Sequence, residues 1–155
     1  MRRAAVILAR LFLAGLFIVA AIAKLREPWP LFAASIDTMQ ILPTWAVIGV
    51  ARTLPWFELA LGLTLLSGFF LRYSSTIATA LIAAFLSVLV RSYVRGMTVD
   101  CGCFGTGEEL GPWTLVRDGA LLVVAGWVTY EAFRKREAPA VPRAQLEPAV
   151  EPATD

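Results

Sequence analysis

Four long apolar runs constrain this chain more than any other feature. They cover about residues 4–23, 45–71, 73–94 and 113–133. Each reaches the roughly 20 residues that a helix needs to cross about 30 Å of hydrocarbon. In lipid the backbone must satisfy its own hydrogen bonds, so only helices or closed barrels can span. Continuous rather than alternating apolar runs select helices. The expected fold is all-α, a polytopic membrane protein built as a four-transmembrane-helix bundle. Composition agrees: 58% of the 155 residues are hydrophobic and 17% charged, against about 45–50% and about 25% in soluble domains.

The second run is longer than one span requires, and Pro55 interrupts it. A tilt, a kink at Pro55 or an extension above the membrane would absorb the excess. After Arg134-Lys135-Arg136 the composition changes, and residues 137–155 are rich in Ala, Pro and Glu without a helical stripe. That segment reads as a disordered tail, which leaves residues 1–136 as the single membrane domain. Arg2-Arg3, an apolar stretch and Ala21-Ile22-Ala23 also resemble a signal peptide with its cleavage site. The stretch is long for a signal and Arg10 interrupts it, so a retained first helix is expected.

Lysine and arginine in short flanks set orientation. With a cytoplasmic amino terminus, the inner set is Arg2, Arg3, Arg72, Arg134, Lys135, Arg136 and Arg143; the outer set is Lys24, Arg26, Arg91 and Arg95. Trp29, Tyr93 and Trp113 would mark the outer interface, and Tyr73 and Tyr130 the inner one. Both termini, including the tail, are then expected in the cytoplasm of a bacterial cell, and the connection from about Arg95 to Pro112 in the periplasm, beyond the inner membrane. The lipid bilayer is the first partner. The net charge is only +2 and no basic stripe is present, which argues against nucleic acid.

That connection carries the two cysteines of the chain, Cys101 and Cys103, one glycine apart in Asp100-Cys101-Gly102-Cys103-Phe104-Gly105. A periplasmic location permits disulfides. A bridge between residues i and i+2 closes a very small ring, hard to make without backbone strain, and a strained bridge is readily reduced. The leading reading is therefore an exchangeable redox pair. A static structural bridge and a metal half-site with Asp100 or Glu108 stay open. No histidine occurs, so two thiolates leave a tetrahedral metal site incomplete unless a partner contributes. The same absence removes Ser-His and Cys-His catalysis and His-ligated haem. The loop glycines have the wrong spacing for a phosphate loop.

Ionisable residues inside spans are costly and face a partner or a wet cavity. Arg10 and Glu58 lie within the runs, Arg52 lies near Pro55, and Lys24, Arg117 and Asp118 lie near the outer ends. Glu58 is expected near mid-membrane, with either Arg10 or Lys24 as its cation. It would serve as a proton-handling or ligand-binding carboxylate, or as half of an ion pair that fixes helix register. Asp118 near the start of the fourth helix would complement the positive helix end. Thr76, Ala80 and Ala84 recur every four residues, a spacing that permits close helix packing.

Four segments together carry a resemblance to a known family: Ala20-Ala21-Ile22-Ala23-Lys24-Leu25 with Pro28, Leu54-Pro55-Trp56-Phe57-Glu58-Leu59, Cys101-Gly102-Cys103-Phe104-Gly105, and Trp113-Thr114-Leu115-Val116-Arg117-Asp118. In these the chain resembles the methylamine utilisation protein MauE family, related to the DoxX-like redox-associated membrane proteins. The resemblance implies a four-helix integral membrane protein that supports thiol–disulfide maturation of extracytoplasmic proteins. In the family that substrate is the disulfide-rich small subunit of methylamine dehydrogenase, matured alongside a periplasmic thioredoxin-like protein. Cys101 and Cys103 would be the redox pair, with Lys24, Glu58, Arg117 and Asp118 in support. The competing reading is a non-catalytic scaffold that docks the thioredoxin-like factor. No cofactor motif is evident. With one cysteine pair an internal relay is impossible, so a quinone, if used, would accept electrons directly from that pair.

Overall fold

The computed structural model describes residues 2–97 and 111–134, and its axis is a close pairing of two antiparallel helices. The described residues form α1 (Arg2–Arg26), α2 (Trp29–Thr38), α3 (Thr44–Ser67), α4 (Leu71–Val94) and α5 (Pro112–Arg134). Helices α1 and α3 meet at Gly62. A Cβ there would lie 2.7 Å from Ile18 Cγ1, 3.1 Å from the Ala14 carbonyl oxygen and 3.2 Å from the Ile18 nitrogen. A glycine on one helix thus lets its backbone rest on the backbone of the other, the close approach that small residues permit in lipid. Around this contact Leu13, Ala14, Phe17, Leu61 and Leu65 pack against Ala78 of α4 and Ala125 and Val128 of α5. Helices α4 and α5 are also antiparallel and are tied by a hydrogen bond between the Thr79 and Thr129 hydroxyls at 2.9 Å.

The all-helical expectation stands, with two corrections of detail. First, α2 is an element that four apolar runs do not contain. Its ten residues are too short to span. Pro30 falls in its first turn, where a missing N–H costs no helix bond. Phe32 and Ala33 bury it against Val47 and Ala51 of α3. Second, α3 continues through Pro55 and stops at Ser67, where Gly68 takes φ +76° as the C-cap. The excess length of the second run is absorbed by a tight turn over residues 68–70, so Arg72 belongs to α4. Phe70 takes φ +51° in that turn, a conformation that costs a non-glycine residue roughly 1–2 kcal/mol.

Among the described residues, α1, α3 and α4 are long and apolar enough to cross a membrane by length and composition. The fourth run does fold as a helix, but Arg117, Asp118 and Glu131 dilute α5. Among the described residues, length and composition therefore support three of the four expected spans. The tail over residues 137–155 lies outside the described residues.

The antiparallel order sorts the bundle into two ends. One end holds the start of α1, the turn between α3 and α4, and the end of α5. There Arg2 donates to Glu131 at 3.1 Å and Arg72 lies 4.3 Å over the Phe133 ring. The other end holds the finish of α1, all of α2, the start of α3, the finish of α4 and the start of α5. Tyr73 and Tyr130 are exposed at the first end, and Trp29, Tyr93 and Trp113 at the second.

Gly62 supplies a test of the α1–α3 axis. Gly62→Ala should lower the melting temperature in detergent, and Gly62→Leu should cost about 1–3 kcal/mol or more through overpacking. Thermal unfolding followed by circular dichroism measures both. A Gly62→Leu protein as stable as the parent would contradict the contact.

Candidate functional site

The side chain of a helical residue tilts toward its helix's amino terminus. In antiparallel α1 and α3 this tilt brings two residues from different levels together. Lys24, near the end of α1, reaches back down the bundle, and Glu58 reaches up from the interior of α3. Lys24 Nζ donates to both Glu58 oxygens, at 2.9 Å to Oε1 and 2.8 Å to Oε2. The residues are 4% and 7% exposed. Between the two cations that the sequence offered for Glu58, the fold brings in Lys24. The Lys24 ammonium also lies 5.6 Å from the Phe32 ring centroid, so α2 roofs the pair.

Arg10 goes elsewhere. A Cβ placed on Gly68 would lie 2.5 Å from Arg10 Nη1, so the guanidinium rests on the carboxyl end of α3. Helix carbonyls there lack intrahelical partners and the helix dipole favours a cation. Its Nε is buried without a hydrogen-bond partner.

Lys24, Glu58 and Asp118 line one cavity of about 80 Å³. The rest of its wall is apolar: Leu16, Phe17 and Ala20 from α1, Leu54 from α3, Leu81, Ile82 and Phe85 from α4, and Leu121 from α5. Asp118 is buried and is the seventh residue of α5, past the first turn in which the helix dipole acts most strongly. It accepts a hydrogen bond from Arg117 Nε at 3.1 Å, and the Arg117 side chain is 26% exposed. Lys24 also borders a second, outer groove with Pro28, Trp29, Ala51, Arg52 and Trp56. There Arg52 stacks over Trp29 at 4.4 Å. Pro55 has no N–H to give the Ala51 carbonyl, so that oxygen lacks its helical donor beside the groove.

Of the six residues picked from the sequence, four gather at one end of the bundle, Lys24, Glu58 and Asp118 in the cavity wall and Arg117 beside Asp118. Cys101 and Cys103 lie outside the described residues. Sequence reading missed the aromatic lining, Phe17 and Phe85, and the Arg2–Glu131 pair. Nothing in an apolar run separates a cavity-lining phenylalanine from a lipid-facing one, and residues 129 positions apart carry no local signal.

A family model described as methylamine utilisation protein MauE matches residues 2–131. The chain belongs to the MauE family. It is 35% identical over 109 residues to the methylamine utilization protein MauE of Paracoccus denitrificans, covering 69% of this chain and 58% of that protein. It is 34% identical over 125 residues to the MauE of Methylophilus methylotrophus, covering 80% of this chain and 65% of that one. The chain thus spans about three fifths of the length of these MauE relatives. It is also 38% identical over 122 residues to Protein TlpB of Flavobacterium psychrophilum, covering 70% of this chain and 30% of TlpB. No solved structure matches it. The MauE match encloses α1 to α4 and most of α5, so every charged residue of the cavity lies inside the family region.

The buried pair should behave asymmetrically on truncation. Lys24→Met strands a carboxylate deep in α3, whereas Glu58→Gln leaves a lysine near a helix end that can snorkel to the interface. Lys24→Met should therefore cost more, about 3–5 kcal/mol. The double variant Lys24→Met/Glu58→Leu should recover most of that loss in a denaturant-unfolding cycle. Additive losses would contradict the pairing.

Proposed function

We propose that this chain is a membrane component of thiol–disulfide redox maturation outside the cytoplasm, with Cys101 and Cys103 as the exchanging pair. The observation that carries the reading is the junction of two features within a MauE family member. The Cys-Gly-Cys run lies on the segment that joins α4 to α5, and the buried Lys24–Glu58–Asp118 cluster sits at the bundle end from which that segment departs. The reading takes α5 as a fourth span despite its charges, since Asp118 and Glu131 turn inward and are buried. It sets both termini on the cytoplasmic side of the bacterial inner membrane and the cysteines in the periplasm. A thioredoxin-like protein is the proposed partner, and in this family's setting the small subunit of methylamine dehydrogenase is the proposed client.

The chemistry is a two-electron exchange. One cysteine thiolate attacks the partner's disulfide and forms a mixed disulfide; the second cysteine then displaces the partner's thiolate. Cys101–Cys103 ends as a disulfide and the partner as a dithiol, and the reverse sequence oxidises the partner. The small ring between residues i and i+2 favours this lability. Lys24, Glu58 and Asp118 would support the exchange as a buried polar floor at the same end of the bundle.

Replacing both cysteines with serine should leave membrane levels of the protein unchanged and shift the thiol state of the thioredoxin-like partner, read by alkylation and gel mobility. An unchanged partner at normal protein levels would refute the redox reading. If deletion of residues 98–110 then abolished client maturation while the serine variant retained it, the protein would be a docking scaffold.

A further inference from the structure

We propose that the outer groove where α1, α2 and α3 meet binds the phosphate of an anionic membrane phospholipid, with Arg52 as its principal contact. The groove has a volume of about 530 Å³, and Leu25, Pro28, Trp29, Pro55 and Trp56 line it around Arg52. Ligand clefts of roughly 300–1,000 Å³ take this form, a mostly apolar wall with a few polar groups. Occupancy of this groove does not depend on thiol exchange.

The fold sets the groove at the edge of the hydrocarbon. Helix α1 is a candidate span that finishes at Arg26. Its 25 residues, at about 1.5 Å each, exceed the roughly 30 Å of hydrocarbon, so Arg26 reaches the interface. Arg52 stands at this level, since it stacks 4.4 Å over the ring of Trp29, just beyond Arg26 in the chain. The first residues of α3 project past it, where α2 packs on Val47 and Ala51. Trp29 and Trp56 are exposed in the groove wall, and tryptophan favours the headgroup level, where its apolar ring and polar N–H are both accommodated.

Charge complementarity selects the occupant. Stacking on Trp29 uses the face of the Arg52 guanidinium and leaves its edge, a planar fork of N–H donors, for an anion. Among the described residues no carboxylate pairs with Arg52, although Glu27 borders the same groove. Lys24 and Glu27, the other charged residues of the wall, have partners within the fold, Lys24 in Glu58. An arginine that served only to tie α2 to α3 would complete its charge with Glu27. Instead a cation is left uncompensated beside apolar surface, at the level where lipid phosphates lie. A phosphodiester supplies paired oxygens for the fork, and its acyl chains cover the exposed Leu25 and Trp56. Arg26, exposed at the end of α1, adds a second cation and favours a headgroup of net negative charge. Bound there, the lipid fastens α2 to α3 beside Phe32, which covers Lys24.

Native mass spectrometry of the purified full chain in detergent, titrated with palmitoyl-oleoyl phosphatidylglycerol, tests the site. Saturable binding is expected, at least about tenfold tighter than that of palmitoyl-oleoyl phosphatidylcholine. Arg52→Gln should weaken it at least about tenfold. Arg52→Lys keeps the charge but not the fork and should weaken it by a smaller factor. Arg91→Gln removes an exposed cation of α4 at the same end of the bundle and should leave binding unchanged. The melting temperature in lipid-free detergent identifies the variants that fold, and either Arg52 variant suffices. No saturable binding, equal binding of the two lipids, unchanged binding in a folded Arg52 variant, or equal weakening by Arg91→Gln would overturn the inference. Glycerol 3-phosphate binding as tightly as the lipid would overturn it too, since the groove would then take a free phosphate.

Discussion

The antiparallel contact between α1 and α3 is the constraint on which the rest of the structure depends. Gly62 brings the two backbones together at mid-height, and Lys24–Glu58 closes the same seam one level above. Both features follow from geometry. A glycine without a Cβ permits the approach, and side chains that tilt toward opposite ends converge when their helices run in opposite directions. Hydrocarbon gives helices no hydrophobic drive to associate, so close packing and polar contacts must carry the association. In that setting a buried ion pair specifies register more than it adds stability, because two desolvated charges offset much of their own attraction.

Once this seam is set, the two ends of the bundle acquire different chemistry. At the end with the chain's amino terminus, cations meet aromatic rings, helix carbonyls and one carboxylate: Arg72 on Phe133, Arg10 on the end of α3, and Arg2 with Glu131. These contacts tie the helix ends of the bundle together. At the other end α2 lies across α3, Phe32 covers Lys24, and α4 and α5 bring apolar side chains and Asp118 around the pair. A charged cluster in an apolar enclosure results at the end where residues 98–110 join α4 to α5.

Much of this was legible in the sequence, for reasons that mark the limit as well. Continuous apolar runs announce helices because lipid permits little else, and α1, α3, α4 and α5 fall where those runs lie. The helix α2 was hidden because ten residues with a central Pro-free apolar stripe look like a connection until Val47 and Ala51 offer a surface. Pro55 read as an interruption, yet α3 runs continuously through it. The stop came instead from Gly68, whose left-handed backbone ends the helix. Glu58 stood out as costly in lipid, but choosing Lys24 over Arg10 required the helix pairing that only the fold supplies. Phe17 and Phe85 had no signal at all, since a cavity is a property of several helices together.

The proposed function turns on Cys101 and Cys103 being an extracytoplasmic, exchangeable pair attached to this bundle. Impermeant thiol alkylation of intact cells, with and without prior mild reduction, tests it most directly because it reports sidedness and lability together. On that proposal the reagent reaches both cysteines from outside, and mild reductant increases the labelling. Labelling that appears only after the membrane is permeabilised would contradict it.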